Sequence, residues 1–141
     1  MANFLYTSFK RDRSQGLVNL ASDAIKVALV TSAYTPNQDT HEKFSDITGE
    51  VAGGNGYTSG GAALANKTVT KDNANHAGVF DADDVSWDPS TITARGAVLY
   101  KDAGSPATSP LIGYIDFGAD KASTADRFRI VWNGTGILRD A

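Results

Sequence analysis

The amino-acid sequence predicts a mainly β fold, namely a single-domain antiparallel β-sandwich (jelly-roll-like) with a short N-terminal helix or arm. Roughly seven or eight short apolar runs recur about every ten residues, which is typical of all-β sandwiches and barrels. Most of the 14 glycines lie between these runs, where tight turns use their backbone freedom. A chain of 141 residues is long enough to bury a core of its own. We therefore expect an N-terminal arm or short helix over residues 1–16 and a β-sandwich domain over residues 17–141.

The first part of the chain holds the clearest strand. Residues 4–13 mix aromatic and charged side chains and indicate a short helix or arm, and residues 17–20 are expected to form a short strand. Residues 24–31 are rich in β-branched side chains, which favours a strand. Successive side chains of a strand alternate between its faces, so both faces are expected to be at least partly buried. The two apolar sets are Ile25, Val27 and Leu29 on one face, and Ala28 and Val30 on the other.

Six further strands are predicted from β-branched, aromatic or alternating runs bounded by turn residues. They cover residues 62–70, 74–80, 85–87, 91–100, 111–117 and 127–132. Gly96 is expected to mark a bulge, since glycine inside a strand is typical of one.

The connections between these strands carry their own signals. Asn133-Gly134 predicts a two-residue hairpin, so residues 135–138 are expected to return antiparallel to residues 127–132. Residues 49–61 are expected to form a flexible glycine-rich loop. Residues 39–47 are expected to form one or two helical turns, with Asp39 or Thr40 as the cap.

Composition excludes several kinds of chemistry. The chain has no cysteine, which rules out disulfides, thiolate nucleophiles and cysteine-ligated metals. The net charge is −3 and the cations are scattered without a basic stripe, which argues against a nucleic-acid partner. No apolar run approaches the ~20 residues of a membrane span, and the N-terminus lacks a signal-peptide pattern. We therefore expect that the protein is made in the cytoplasm and does not associate with a membrane.

Candidate sites for chemistry are few. The acidic cluster Asp81, Asp83 and Asp84 suits either a turn or a calcium site, and it lacks the glycine and the distal glutamate of a calcium loop. The two histidines, His41 and His76, are far apart in sequence and lie in no metal motif. The sequence thus predicts no catalytic, cofactor-binding or metal residue and a protein that is not an enzyme. Glycan hydrolysis by paired carboxylates stays an alternative, because their separation in space is not visible in a sequence.

The two tryptophans are large enough to dominate a core or to bind a partner. Trp132 alternates with Phe128 and Ile130, so it is expected to lie in the core. Trp87 suits either a core position or an exposed stacking surface for a sugar.

Six segments, in this order along the chain, resemble a group of small structural proteins of tailed bacteriophages. They are IKVALVTSAYTP (25–36), GYTSGG (56–61), VFDADDVSW (79–87), TITARGAVLYKD (91–102), SPLIGYIDFG (109–118) and IVWNGTGIL (130–138). The resemblance runs from about Leu17 onward. It implies a virion structural protein without a catalytic motif.

The resemblance further implies a capsid decoration (cement) protein that binds the outer surface of the major capsid protein lattice, assembled with copies of itself, as a trimer for example. A tail, collar or fibre component with a receptor- or glycan-binding role is the alternative. Aromatic and arginine side chains are favoured at interfaces, so Tyr6, Phe9, Arg11 and Tyr57 are the expected partner contacts. Phe9 has a second interpretation, in which it covers the core of its own chain.

Overall fold

The computed structural model describes residues 3–140 and confirms a mainly β fold with two antiparallel sheets and one short helix. The five-stranded sheet has the order β1-β7-β6-β2-β3, and the three-stranded sheet has the order β4-β5-β8. The elements are β1 Asn3–Leu5, α1 Thr7–Ser14, β2 Ile25–Val30, β3 Ala62–Ala63, β4 Thr68–Asp72, β5 Ala77–Asp81, β6 Val85–Lys101, β7 Leu111–Ile130 and β8 Leu138–Asp140, with 3₁₀ turns at Phe44–Asp46 and Pro106–Thr108. No helix within residues 3–140 has the length and apolarity needed to cross a bilayer.

Strand β2 is buried on both faces, as its sequence predicts. Ile25, Val27 and Leu29 belong to a larger core, and Ala28 and Val30 belong to a second, smaller one. The five-stranded sheet therefore separates two cores instead of exposing one face to water.

Strands β6 and β7 form one long antiparallel ribbon where the sequence predicts four short strands. Asp88 and Pro89 were expected to end the strand over residues 85–87, but β6 passes through them with shifts of register on either side of Ser90. Such irregularities let a strand continue past a residue that cannot donate a hydrogen bond. The register does shift between Ala94 and Gly96, where a bulge was predicted, but the extra residues are 117–120 of β7, which lie opposite Arg95 alone.

The chain segment after β7 departs from the hairpin prediction. Strand β8 pairs with β5 in the other sheet and not with residues 127–132. Trp132 explains the change of sheet, because its backbone N–H donates to the Asp84 carboxylate and its indole N–H donates to the Asp83 carbonyl. Asn133-Gly134 therefore marks a turn, and contacts distant in sequence decide where the chain goes next.

Three other strand predictions are wrong, wholly or in part. Residues 17–20 form no strand, although Val18 is buried. The strand over residues 62–70 is divided into β3 and β4, since Asn66 adopts a left-handed backbone with φ of 52°. The predicted strand 74–80 is observed as β5, which begins later, after a four-residue turn.

The connection between β2 and β3 is held by side chains. The Glu50 carboxylate accepts hydrogen bonds from the Tyr57 hydroxyl at 2.7 Å and from Gly60 N–H at 2.6 Å. Gly61 has a φ of +82°, and a Cβ there would lie 1.9 Å from the Val27 carbonyl oxygen. The predicted flexible loop over residues 49–61 is thus fastened against β2. Upstream, only one 3₁₀ turn, Phe44–Asp46, forms within residues 39–47, where one or two helical turns were predicted. The Asp46 carboxylate accepts hydrogen bonds from the Glu42 and Lys43 N–H groups there.

Candidate interaction surfaces

The expected partner contacts in the N-terminal segment are mostly buried. Tyr6 is 0 % exposed and Phe9 is 1 % exposed, because β1 pairs with β7 and draws the following helix onto the sheet. Tyr57 is 2 % exposed beneath the glycine-rich loop, where its hydroxyl also accepts from Leu29 N–H. These three predictions need correction: all three aromatic side chains pack within their own chain. The interpretation of Phe9 as a core residue agrees with the structure.

Arg11 is the expected contact that remains on the surface. Its side chain is 51 % exposed, with Nη2 lying 2.8 Å from Glu42 Oε1 and Nε lying 3.1 Å from Asp12 Oδ1. The hydrogen bond to Glu42, followed by that to Asp12, raises the pKa of the Arg11 guanidinium. Both neighbours hold the guanidinium on its own chain, so a partner at this point would have to replace an existing ion pair.

Tyr6 is part of a buried tyrosine cluster in the smaller core. Its hydroxyl lies 2.7 Å from the Tyr34 hydroxyl, which lies 2.8 Å from Nδ1 of His41. Burial raises the pKa of Tyr34 to about 12, and burial followed by the hydrogen bond to Tyr34 raises the pKa of Tyr6 further. His41 is therefore a hydrogen-bond partner of this cluster.

The acidic cluster forms turn contacts instead of a common site. Asp81 accepts from Ala82 N–H, and Asp83 accepts from the Asn66 side-chain amide. Asp84 accepts a hydrogen bond from Trp132 N–H and forms an ion pair with Arg129. The backbone hydrogen bond, followed by the interaction with Arg129, holds the pKa of Asp84 below its usual range. In the part of the chain that the structure describes, no three histidine or acidic side chains are grouped as they would be around a metal ion.

The tryptophans lie at different depths. Trp87 is buried in the larger core, where its ring lies 5.9 Å from the ring of Tyr57. Trp132 packs against the margin of the same core and is only partly buried. Trp87 therefore presents no exposed ring for sugar stacking, and the core interpretation of this residue is the correct one.

One concave surface is a hollow of about 480 Å³ lined almost entirely by the bent strand β7. We call it the β7 hollow; the bend brings Phe117 and Phe128 to a ring-centroid distance of 6.3 Å. Val131 at its end is 66 % exposed, unusually high for an apolar side chain of this protein. The lining residues are Phe117, Lys121, Ala122, Arg127, Phe128, Arg129, Ile130 and Val131. A second hollow of about 430 Å³ continues from it toward Ile137.

The charged residues that line the β7 hollow are all cations. Arg129 pairs with Asp84 at 3.0 Å, whereas Lys121 and Arg127 have no acid within 4.0 Å among residues 3–140. The neighbouring acid Asp126 is turned to the backbone, where it accepts from Arg127 N–H at 2.7 Å. The hollow is thus apolar in its floor and positive at its rim, in a chain whose net charge is −3.

Sequence reasoning missed this surface. Lys121, Arg127 and Arg129 are spread over nine positions and look like ordinary solvated charges in the sequence. The bend of β7 brings the ring of Phe117 close to that of Phe128. The one local sequence signal for this bend is Gly118, which has a φ of +80°.

Comparison with models of protein families, with curated proteins and with solved structures gave no match to this chain.

Proposed function

We propose that this chain is a structural protein of a bacteriophage virion, a capsid decoration protein that binds the outer surface of the major capsid protein lattice. The ordered resemblance of six sequence segments supports the assignment to a virion. The β7 hollow supports a binding role, since the exposed side chain of Val131 lies there together with Lys121 and Arg127, two cations that lack an ion-pair partner in the described chain. The site is a binding surface, and no catalytic step is assigned to it.

The rigidity of the body favours binding. Both faces of β2 are buried and the Gly49–Gly61 connection is fastened through Glu50, so little of the surface has to be ordered on association. Ordering interface side chains and loops costs about 0.5–1.5 kcal/mol per immobilised side chain, and a preformed surface avoids much of that cost.

Binding to undecorated heads tests this proposal. Purified protein is titrated onto heads that lack the decoration protein, and saturable binding at the outer surface is expected. Arg127→Glu is expected to weaken binding by about tenfold or more, because it places an acid at the centre of the contact. Lys10→Glu, which changes the charge equally on the exposed side of α1, is the matched control and should bind like the wild type.

Two results would overturn the proposal: an absence of saturable binding, or equal losses for Arg127→Glu and Lys10→Glu. The mass of the purified protein and its copy number on heads report on self-association, for which a trimer at a symmetry axis of the lattice is part of the proposal.

A tail, collar or fibre component that binds a glycan is the second candidate. A hollow of about 260 Å³ favours it, because polar side chains surround an apolar floor formed by the stacked rings of Phe44 and Tyr100, 4.1 Å apart and only 8 % and 4 % exposed. Glu50 and the Lys26–Asp102 ion pair line this hollow. Apolar rings next to hydrogen-bonding groups are the chemistry that sugars require. A handful of copies per particle, with binding to host glycans lost in Tyr100→Ala, would establish this function in place of capsid decoration.

A further inference from the structure

Strand β7 has a long free edge. Strand β1 covers β7 only from Gly113 to Ile115, and within residues 3–140 no strand pairs with its outer edge from Ala119 to Ile130. A strand edge presents N–H and C=O groups at alternate positions, and these groups form hydrogen bonds with any extended segment that fits beside them. The β7 hollow lies along this outer edge, since its lining includes the consecutive residues 127–130, whose side chains point to opposite faces of the sheet, and no residue of β6, which pairs with the other edge.

The chemistry of this edge opposes pairing with another copy of itself. Lys121 and Arg127 would approach the same cations of a second chain, and like charges across a strand pair are destabilising. Ala125, with a φ of +48°, interrupts the extended backbone between them. Bulges and edge cations are the means by which native sheets prevent uncontrolled pairing. The cations of this edge attract a segment that carries acidic side chains, whereas they repel the same cations of a second copy.

We propose that the free edge of β7 accepts an extended segment of the capsid protein as an added strand, and that this segment alternates apolar and acidic side chains. The proposal rests on the proposed function for the identity of the partner and adds the mode of binding. Alternate side chains of a strand point to the same face. The apolar ones therefore lie beside Phe128 and Ile130 at the β7 hollow, while the acidic ones, on the opposite face, lie beside Arg127.

The straight part of the edge limits the length of the partner segment. Asp126 to Ile130 spans about 17 Å at roughly 3.4 Å per residue, which accommodates about five residues of the incoming strand. Hydrogen bonds to the β7 backbone supply affinity that does not depend on sequence, and the hollow with its cations supplies the selection.

A peptide experiment tests the mode of binding with the full-length chain. The probe is an eight-residue peptide of alternating valine and glutamate, followed by the backbone amide resonances of the isotope-labelled protein. Three matched peptides are compared with it: valine alternating with lysine, the valine–glutamate peptide with alternate backbone nitrogens methylated, and a polyglutamate of equal charge. We expect binding of the first peptide alone, with shifts and exchange protection concentrated in residues 126–130, and a loss of at least tenfold in Arg127→Glu but not in Lys10→Glu.

The outcomes separate this inference from the function on which it rests. Equal binding of the methylated peptide or of polyglutamate would show a purely electrostatic contact and overturn strand addition, as would no binding at millimolar peptide. If heads bind the protein but the peptide does not, strand addition fails and the capsid proposal survives. If the peptide binds but heads do not, the capsid protein is the wrong partner, and both the capsid proposal and this inference are overturned.

Discussion

The two faces of the five-stranded sheet are covered by cores of different chemistry. The larger core is mainly aliphatic around β2, β6 and β7, with Val27, Leu29 and Leu99 at 1 % exposure or less. The smaller core contains four tyrosines, Tyr6, Tyr34, Tyr100 and Tyr114, and adds hydrogen bonds to packing. Aliphatic burial stabilises in proportion to area and tolerates exchange of similar side chains, whereas a buried hydroxyl stabilises only with its partner in place. One sheet thus uses one face for bulk stability and the other for specific positioning of side chains.

Truncation in the aliphatic core should give the largest loss of stability. Leu29→Ala removes a fully buried side chain from the centre of β2, and we expect the free energy of unfolding to fall by about 2–5 kcal/mol. Urea unfolding followed by tryptophan fluorescence measures the change. Leu17→Ala removes the same atoms from a side chain that is 53 % exposed and should cost less than about 0.5 kcal/mol. Similar losses for the two variants would contradict the assignment of Leu29 to the core.

Single hydroxyl deletions should separate the two tyrosines at the centre of the smaller core. Tyr34→Phe leaves the Tyr6 hydroxyl buried without a partner, and we expect a loss of about 1–3 kcal/mol. Tyr6→Phe leaves the Tyr34 hydroxyl bonded to His41, so its loss should be smaller, about 1 kcal/mol. The same urea titration measures both. A larger loss in Tyr6→Phe would show that the bond to His41 does not support Tyr34.

High pH should weaken the contribution of the smaller, tyrosine-containing core to stability. The pKa of Tyr34 is raised to about 12 by burial, against a value of 10.0 when the side chain is exposed. Above about pH 10 the unfolded chain loses this proton while the folded chain keeps it, so stability is complete below pH 10 and declines as the pH rises toward 12. One such group contributes at most about 1.4 kcal/mol per pH unit in that window. The urea midpoint should fall less steeply with pH between about pH 9 and 11 in Tyr34→Phe than in the wild type. An equal pH dependence in the two proteins would contradict a raised pKa of Tyr34 in the folded chain.

The fold was predictable where local pattern and tertiary environment agree. The alternation in β2 correctly indicated burial on both faces, and Gly96 correctly indicated a shift of register at a point where a Cβ would meet Ile115 and Tyr114. Pro89 indicated the end of a strand, but pairing with the long β7 carries β6 through it. Asn133-Gly134 correctly placed a turn, while the sheet that receives β8 depends on contacts of Trp132 with a distant loop.

The interaction surface was much less predictable than the fold. Tyr6 and Phe9 stand in a segment rich in charges, which suggests a surface arm, yet pairing of β1 with β7 buries both. The β7 hollow arises from a bend in one strand, and a bend brings together residues that a period-two pattern keeps apart. Residue type indicated which side chains bind well, and the curvature of β7 determined which of them are accessible.

The pairing of β1 with β7 also sets the timing of folding on the ribosome. Asn3 pairs with Ile115, so the first strand leaves the ribosome about 110 residues before its partner. At about 5–20 residues per second, that strand waits roughly 5–20 seconds with Phe4 and Tyr6 exposed. Contacts this distant in sequence slow folding because the connecting chain must first lose its freedom. The same contact that closes the finished body therefore leaves Phe4 and Tyr6 of the nascent chain without their partners until the segment around Ile115 has emerged.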